Sequence, residues 1–229
     1  MLRLEEVHFA AGDYALSADL EVARDRRVAI VGPSGAGKST LLDLIAGFRA
    51  PNAGRVLWDG RDITALTPDR RPVAMLFQDN NLFPHLTLER NLALALHPSG
   101  RIRDGRIDRA LDQVGLAGMA QRKPGTLSGG QQSRAALARV LLQDRPLLLL
   151  DEPFAALGPA LKREMLDLVA TLVSERGMTA LLVTHDPGDA RRFAPQTIVV
   201  ANGEALPPQE TGALLDDPPD ALADYLGGA

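Results

Sequence analysis

The chain has 229 residues, enough for a sizeable buried core, and its 45% apolar and 24% charged residues match an ordinary globular protein rather than a disordered one. With no cysteine, a disulfide framework, a thiolate zinc site and a thiol nucleophile are all excluded. A formal net charge of −4 removes the broad positive field on which nonspecific DNA and RNA binders depend, so nucleic acid is not an expected partner.

From the N-terminus, Met1 to Glu6 carries no apolar signal core, and nowhere do 18 apolar residues run together, so neither secretion nor a membrane span is expected. Leu2 to Phe9 and Leu16 to Val22 read as antiparallel strands joined by a polar turn. Val28 to Val31 is a short β-branched run of the kind buried on both faces of a parallel sheet, and Leu41 to Ala46, ended by Gly47, is helical. Arg55 to Trp58, followed by Asp59-Gly60, belongs with the antiparallel layer. Val73 to Phe77 and Leu147 to Leu150 are further buried parallel strands.

Between them Pro98, Gly100, Gly115 and Pro124-Gly125 interrupt helical stretches without any strand-like run. Residues 84–143 therefore read as an inserted helical subdomain, leaving 1–83 and 144–229 as an α/β core with its β layer. Arg101 to Arg109 is a mixed charge run, read as a solvated helix entry rather than a contact for anionic lipid. A long helical pattern from Pro159 to Glu175, closed by Gly177, leads to strands at Ala180 to Val183 and Thr197 to Val200, the latter entering the turn Asn202-Gly203. The end of the chain, with Pro207-Pro208 and Pro218-Pro219, reads as short capped helices. Alternation of strand and helix around a parallel sheet makes the fold class α/β.

Three stretches carry chemistry. Gly32, Pro33, Ser34, Gly35, Ala36, Gly37, Lys38, Ser39 and Thr40 follow a strand directly and open a helix, which is the context a phosphate-binding loop requires. Its glycines let backbone N–H groups converge on phosphate oxygens, Lys38 reaches the β- and γ-phosphates, and the Ser39 hydroxyl is a ligand for Mg²⁺. Asp151 and Glu152 end the apolar strand Leu147 to Leu150, where open α/β sheets present ligands. Asp151 suits Mg²⁺ and Glu152 suits a base for the water attacking the γ-phosphate. Ser128, Gly129, Gly130 and Gln131 open a further helix, with Ser128 as its cap. The residues alone leave open whether this is a phosphate contact or a simple helix start. The basic residues pose a question of their own: 22 are Arg and only Lys38, Lys123 and Lys162 are Lys.

Taken in order, the loop at 32–40, Gln78 after a strand, Leu127-Ser-Gly-Gly-Gln131, Leu149-Leu-Asp-Glu-Pro153 and His185 after a strand resemble the ATP-binding cassette ATPases, a family of P-loop NTPases, over the whole chain. The resemblance implies ATP and Mg²⁺ as ligands and a head-to-tail homodimer, in which Ser128 to Gln131 of one subunit closes over the γ-phosphate held by the other's phosphate loop. It further implies that Gln78 senses the metal and the attacking water, and that His185 contacts the γ-phosphate. Within the family, Arg70 to Thr87 and Leu44 to Phe48 resemble the thiamine-importer branch. That implies a peripheral ATPase on the cytoplasmic face of the cell membrane, docked on permease subunits and served indirectly by a periplasmic substrate-binding protein. Importers of iron, sulfate or polyamines, and less so a soluble cassette ATPase, are the alternatives.

Two positions depart from the family. Gly158 stands where an Asp usually follows Ala-Leu and resembles a link between the two ATP sites. Ala11 stands where an aromatic residue usually stacks on adenine, leaving Tyr14 or Phe9 as substitutes.

Overall fold

The computed structural model describes residues 1–100 and 105–219, so Arg101 to Asp104 of the mixed charge run and the chain from Asp220 onward lie outside the described residues. Leu2–Ala11 (β1) and Tyr14–Val22 (β2) form an antiparallel hairpin, and Ala53–Trp58 (β4) with the short Arg61–Asp62 (β5) extends it on the other edge of β1. Arg27–Val31 (β3) runs through the phosphate loop into Lys38–Ala46 (α1). Val73–Leu76 (β6) is followed by Leu88–Ala93 (α2), Gly105–Gln113 (α3) and Gly129–Leu141 (α4), with no strand among the described residues between β6 and Leu147–Asp151 (β7). Pro159–Glu175 (α5), Thr179–Val183 (β8), Pro187–Phe193 (α6), Gln196–Ala201 (β9), Glu204–Ala205 (β10), Gln209–Glu210 (β11) and Thr211–Asp216 (α7) complete the described chain. None of these helices is long and apolar enough to cross a membrane.

The parallel core has the order β9-β3-β8-β7-β6. Its strands are buried on both faces, which is why they read as continuous apolar runs. Alternation sorts their side chains: Leu148 and Leu150 pack with α4 and α5, while Leu147 and Leu149 pack with α1 and the antiparallel layer. The antiparallel layer is joined to the parallel sheet more closely than the sequence suggests. β10 pairs in parallel with β2 and antiparallel with β9, so one hydrogen-bonded path crosses both parts. A two-residue strand has too little pattern to be read in advance, and the same holds for β5, β11 and the seven-residue α6.

Two buried polar residues fix the surroundings of the site. Arg71 is 1% exposed and donates to the carbonyl oxygens of Leu44, Ile45, Thr64 and Leu66 at 2.7–3.0 Å, so it satisfies the otherwise orphaned C-terminal end of α1. Asn91 accepts from Phe83 N–H at 2.7 Å and donates to Phe83 and Thr87 carbonyls, pinning the segment that leads into α2. Arg139 of α4 donates to Asn81 and Asn80 carbonyls, which ties that same segment to α4.

Candidate nucleotide-binding and hydrolysis site

Parallel registers bring the carboxyl ends of four strands together. Ile30 lies opposite Val183, Val183 opposite Asp151, and Leu150 opposite Leu76. The loops that follow, carrying Gly32 to Gly37, Gln78, Asp151-Glu152 and Thr184-His185, therefore share one edge of the sheet.

The phosphate loop is threaded through a narrow gap. A Cβ on Gly32 would lie 2.0 Å from the Val200 carbonyl oxygen, and one on Gly37, at φ 109°, would lie 1.9 Å from the Tyr14 hydroxyl. Any side chain at either position would displace the loop from β9 or from Tyr14. No side chain caps α1 at Gly37, so its first amides remain open to an anion, with Ser39 exposed and Thr40 half-buried beside them. Lys38 is 8% exposed and its Nζ donates to the Gly32 and Pro33 carbonyls at 2.8 and 2.9 Å. Burial lowers its pKa, and the charges of Glu152 and Asp151 pull the other way.

Ser39 Oγ donates to Asp151 Oδ1 at 3.1 Å across 112 residues of chain. Burial pushes the Asp151 carboxyl up, against the Ser39 hydroxyl that favours its ionised form. A hydroxyl and one carboxylate are hard oxygen donors that suit Mg²⁺, which takes its remaining ligands from phosphates and water. Among the described residues there is no cluster of three or more His, Cys, Asp or Glu that would form an all-protein metal cage.

Glu152 sits at φ 43°, a left-handed backbone that costs a non-glycine residue ~1–3 kcal/mol. Its N–H donates to the Val183 carbonyl at 3.2 Å, and its Oε2 lies 3.2 Å from His185 Nδ1. β7 and β8 thus deliver a carboxylate and an imidazole to one point. Gln78 is exposed, two residues past β6.

Ser128 and Gln131 form a reciprocal cap at the start of α4, with Ser128 Oγ accepting from Gln131 N–H at 3.3 Å and Gln131 Oε1 accepting from Ser128 N–H at 3.0 Å. These bonds are local, and neither residue bonds the phosphate loop of its own chain. Ser128 and Gly129 are exposed, whereas Gly130 is buried, and a Cβ there would lie 2.6 Å from Leu161 Cδ2. A side chain at Gly130 would therefore make Leu161 at the start of α5 shift.

Tyr14 and Phe9, whose ring centroids lie 6.5 Å apart, have different surroundings. An open groove of about 560 Å³ is lined by Tyr14, Pro33, Ser34, Gly35, Asn202 and Gly203, among others, and Phe9 is not among its walls. Phe9 instead lies under the Arg49 guanidinium, 5.5 Å from its ring centroid.

Gly158 occupies the N-cap position of α5 at φ −64°, ψ 156°, with open space where a Cβ would be. Glycine is not required there. Gly158→Asp is expected to fold, to gain a few tenths of a kcal/mol by capping α5, and to raise the Hill coefficient of ATP turnover. Urea unfolding and steady-state kinetics check the two parts.

Comparison with known proteins shows the family. The ABC transporter family matches residues 16–155. The chain is 60% identical to the thiamine import ATP-binding protein ThiQ of Cereibacter sphaeroides, over 99% of this chain and 100% of the relative, and 58% identical to that of Ruegeria sp. over the same shares. Among solved structures, the ATP-binding cassette MJ0796, a dimer in a post-hydrolysis state bound to ADP and Pi, superposes with a TM-score of 0.78 at 31% identity, covering 92% of this chain and 99% of that one. Strand-end loops, phosphate loop and full-length kinship converge, and the chain belongs to the ABC transporter family as an ATP-hydrolysing cassette.

Proposed function

We propose that this cassette drives import of thiamine through a membrane permease, hydrolysing ATP as a peripheral homodimer on the cytoplasmic face of the membrane. The observation that carries the substrate is the 60% identity to a thiamine import ATPase over essentially the whole of both chains. A periplasmic binding protein delivers thiamine to the permease and meets the cassette only indirectly. Residues 84–143 act as the helical subdomain that faces the permease, set against the core at 1–83 and 144–229. The ties from Arg139 and Asn91 to the segment after Gln78 cross that boundary and couple the helical subdomain to the core.

Lys38 and the open amides of α1 hold the β- and γ-phosphates, while Tyr14 borders the nucleoside side of the same loop. Ser39, Asp151 and Gln78 would hold Mg²⁺, which when bound would neutralise charge on the phosphate oxygens. Glu152 takes a proton from water as its oxygen bonds to the γ-phosphorus and the bond to the β-bridging oxygen breaks, releasing ADP and phosphate. His185 orients Glu152 and contacts the γ-phosphate, and Ser128 to Gln131 of the second subunit closes the far side. ATP bridges two subunits and hydrolysis removes the bridge, which gives a docked permease two states to read.

Reconstitution with the permease and binding protein tests this. Thiamine should stimulate ATP hydrolysis more than iron, sulfate or polyamines; stimulation by one of those others alone would leave the cassette intact and remove the thiamine assignment.

A further inference from the structure

Lys162 is one of only three lysines among 25 basic residues, and nothing in the hydrolytic site as described above uses it. It is the fourth residue of α5, four positions beyond Gly158. Its Nζ lies 2.5 Å from Asp189 Oδ2 and 3.4 Å from Asp186 Oδ2, with side-chain exposures of 16% for Lys162 and 7% for Asp189. The same Asp189 oxygen accepts from Thr184 Oγ1 at 2.8 Å. Thr184 Oγ1 in turn accepts from the Asp186 N–H at 3.1 Å, and Asp186 Oδ1 accepts from the Gly188 N–H at 2.8 Å, capping α6. Four of these five links hold a residue beside His185, and the fifth, from Lys162 to Asp189, joins them to α5. Thr184 precedes the imidazole, Asp186 follows it, and Lys162 closes the network from another element.

We infer that Lys162 is a positioning residue for His185: by clamping Asp189 and Asp186 it fixes the turn from Thr184 to Asp186, sets the imidazole against Glu152, and ties that turn to the start of α5. This rests on the reading of Glu152 and His185 given above. Burial works against the lysine's charge, but its bonds to Asp189 and Asp186 outweigh it and hold its pKa above the ordinary value. The clamp also has a mechanical consequence. The segment Pro153 to Gly158 lies between Glu152 and α5, so any shift of that segment reaches His185 through a buried ion pair as well as along the chain.

The test is a double-mutant cycle read by single-turnover ATP hydrolysis. Lys162→Gln should lower kcat about 10- to 100-fold with KM for ATP changed less than about 2-fold, because it displaces the imidazole and leaves the phosphate loop alone. In a His185→Ala background the same substitution should change turnover by less than about 2-fold, since the group it positions is gone. An equal loss in both backgrounds, or a folded Lys162→Gln with wild-type kcat, would overturn the inference. If Lys162→Gln does not fold, Asp189→Asn is read in the same cycle, and unfolding of both would overturn positioning in favour of a purely structural role. Wild-type turnover in His185→Ala alone would overturn the parent reading of His185 and this inference with it.

Discussion

Lys38→Ala is expected to lower ATP turnover by at least about 10³-fold and to weaken binding of Mg-ATP. Lys38 is nearly enclosed, and its ammonium is held by the carbonyls of Gly32 and Pro33, so the charge stands at the mouth of the loop before any nucleotide arrives. Such a preorganised cation in a water-poor site is worth more than the same charge in solvent, and it need not reorganise as negative charge moves onto the phosphates. Arg would not substitute well, because its planar fork cannot follow the narrow path of a straight alkyl chain beneath the loop. Calorimetric titration with Mg-ATP together with a phosphate-release assay checks both parts. Wild-type affinity and rate in a folded Lys38→Ala protein would remove the nucleotide reading of the loop.

Glu152→Gln is expected to cut hydrolysis by roughly 10² to 10⁴ while leaving ATP bound. The amide keeps the size of the carboxyl and can still meet His185 Nδ1, which stands 3.2 Å from Glu152 Oε2, but it cannot take a proton from water. Binding survives because Glu152 ligates neither phosphate nor metal in this account; Lys38, Ser39 and Asp151 do. The left-handed backbone at Glu152 supports the assignment from another direction, since strain of this kind persists only where the surrounding structure holds it.

Much of this was legible in the residues. The phosphate loop is written in contiguous sequence, and its strand and helix partners are strongly patterned, so Gly32 to Thr40 could be placed from local rules. Pro159 and Glu175 bound α5 in both the reading and the structure, because a proline at the first helical position and a nearby closing glycine are strong signals. Ser39 and Asp151 lie 112 residues apart, yet each belonged to a motif of its own, and the parallel register does the rest.

What stayed hidden depends on packing between elements with no shared motif. The clamp from Lys162 to Asp189 joins α5 to α6, and its only trace in the sequence was a lysine in an arginine-rich chain. Tyr14 and Phe9 were equivalent by composition. Only the fold shows that Tyr14 abuts Gly37 beside the open groove while Phe9 lies under Arg49. The bridging strand β10 is two residues long and carries no periodicity to read.

We propose that ATP is held between two copies of this chain, the phosphate loop of one facing Ser128 to Gln131 of the other. In this chain α4 presents the exposed Ser128 and Gly129 at its start, where a second copy can reach them. The most direct measurement is the molar mass of Glu152→Gln by light scattering, with and without Mg-ATP. The expected mass is 24.5 kDa without nucleotide and twice that with it. A mass that stays at one chain's value while Mg-ATP is demonstrably bound would contradict it.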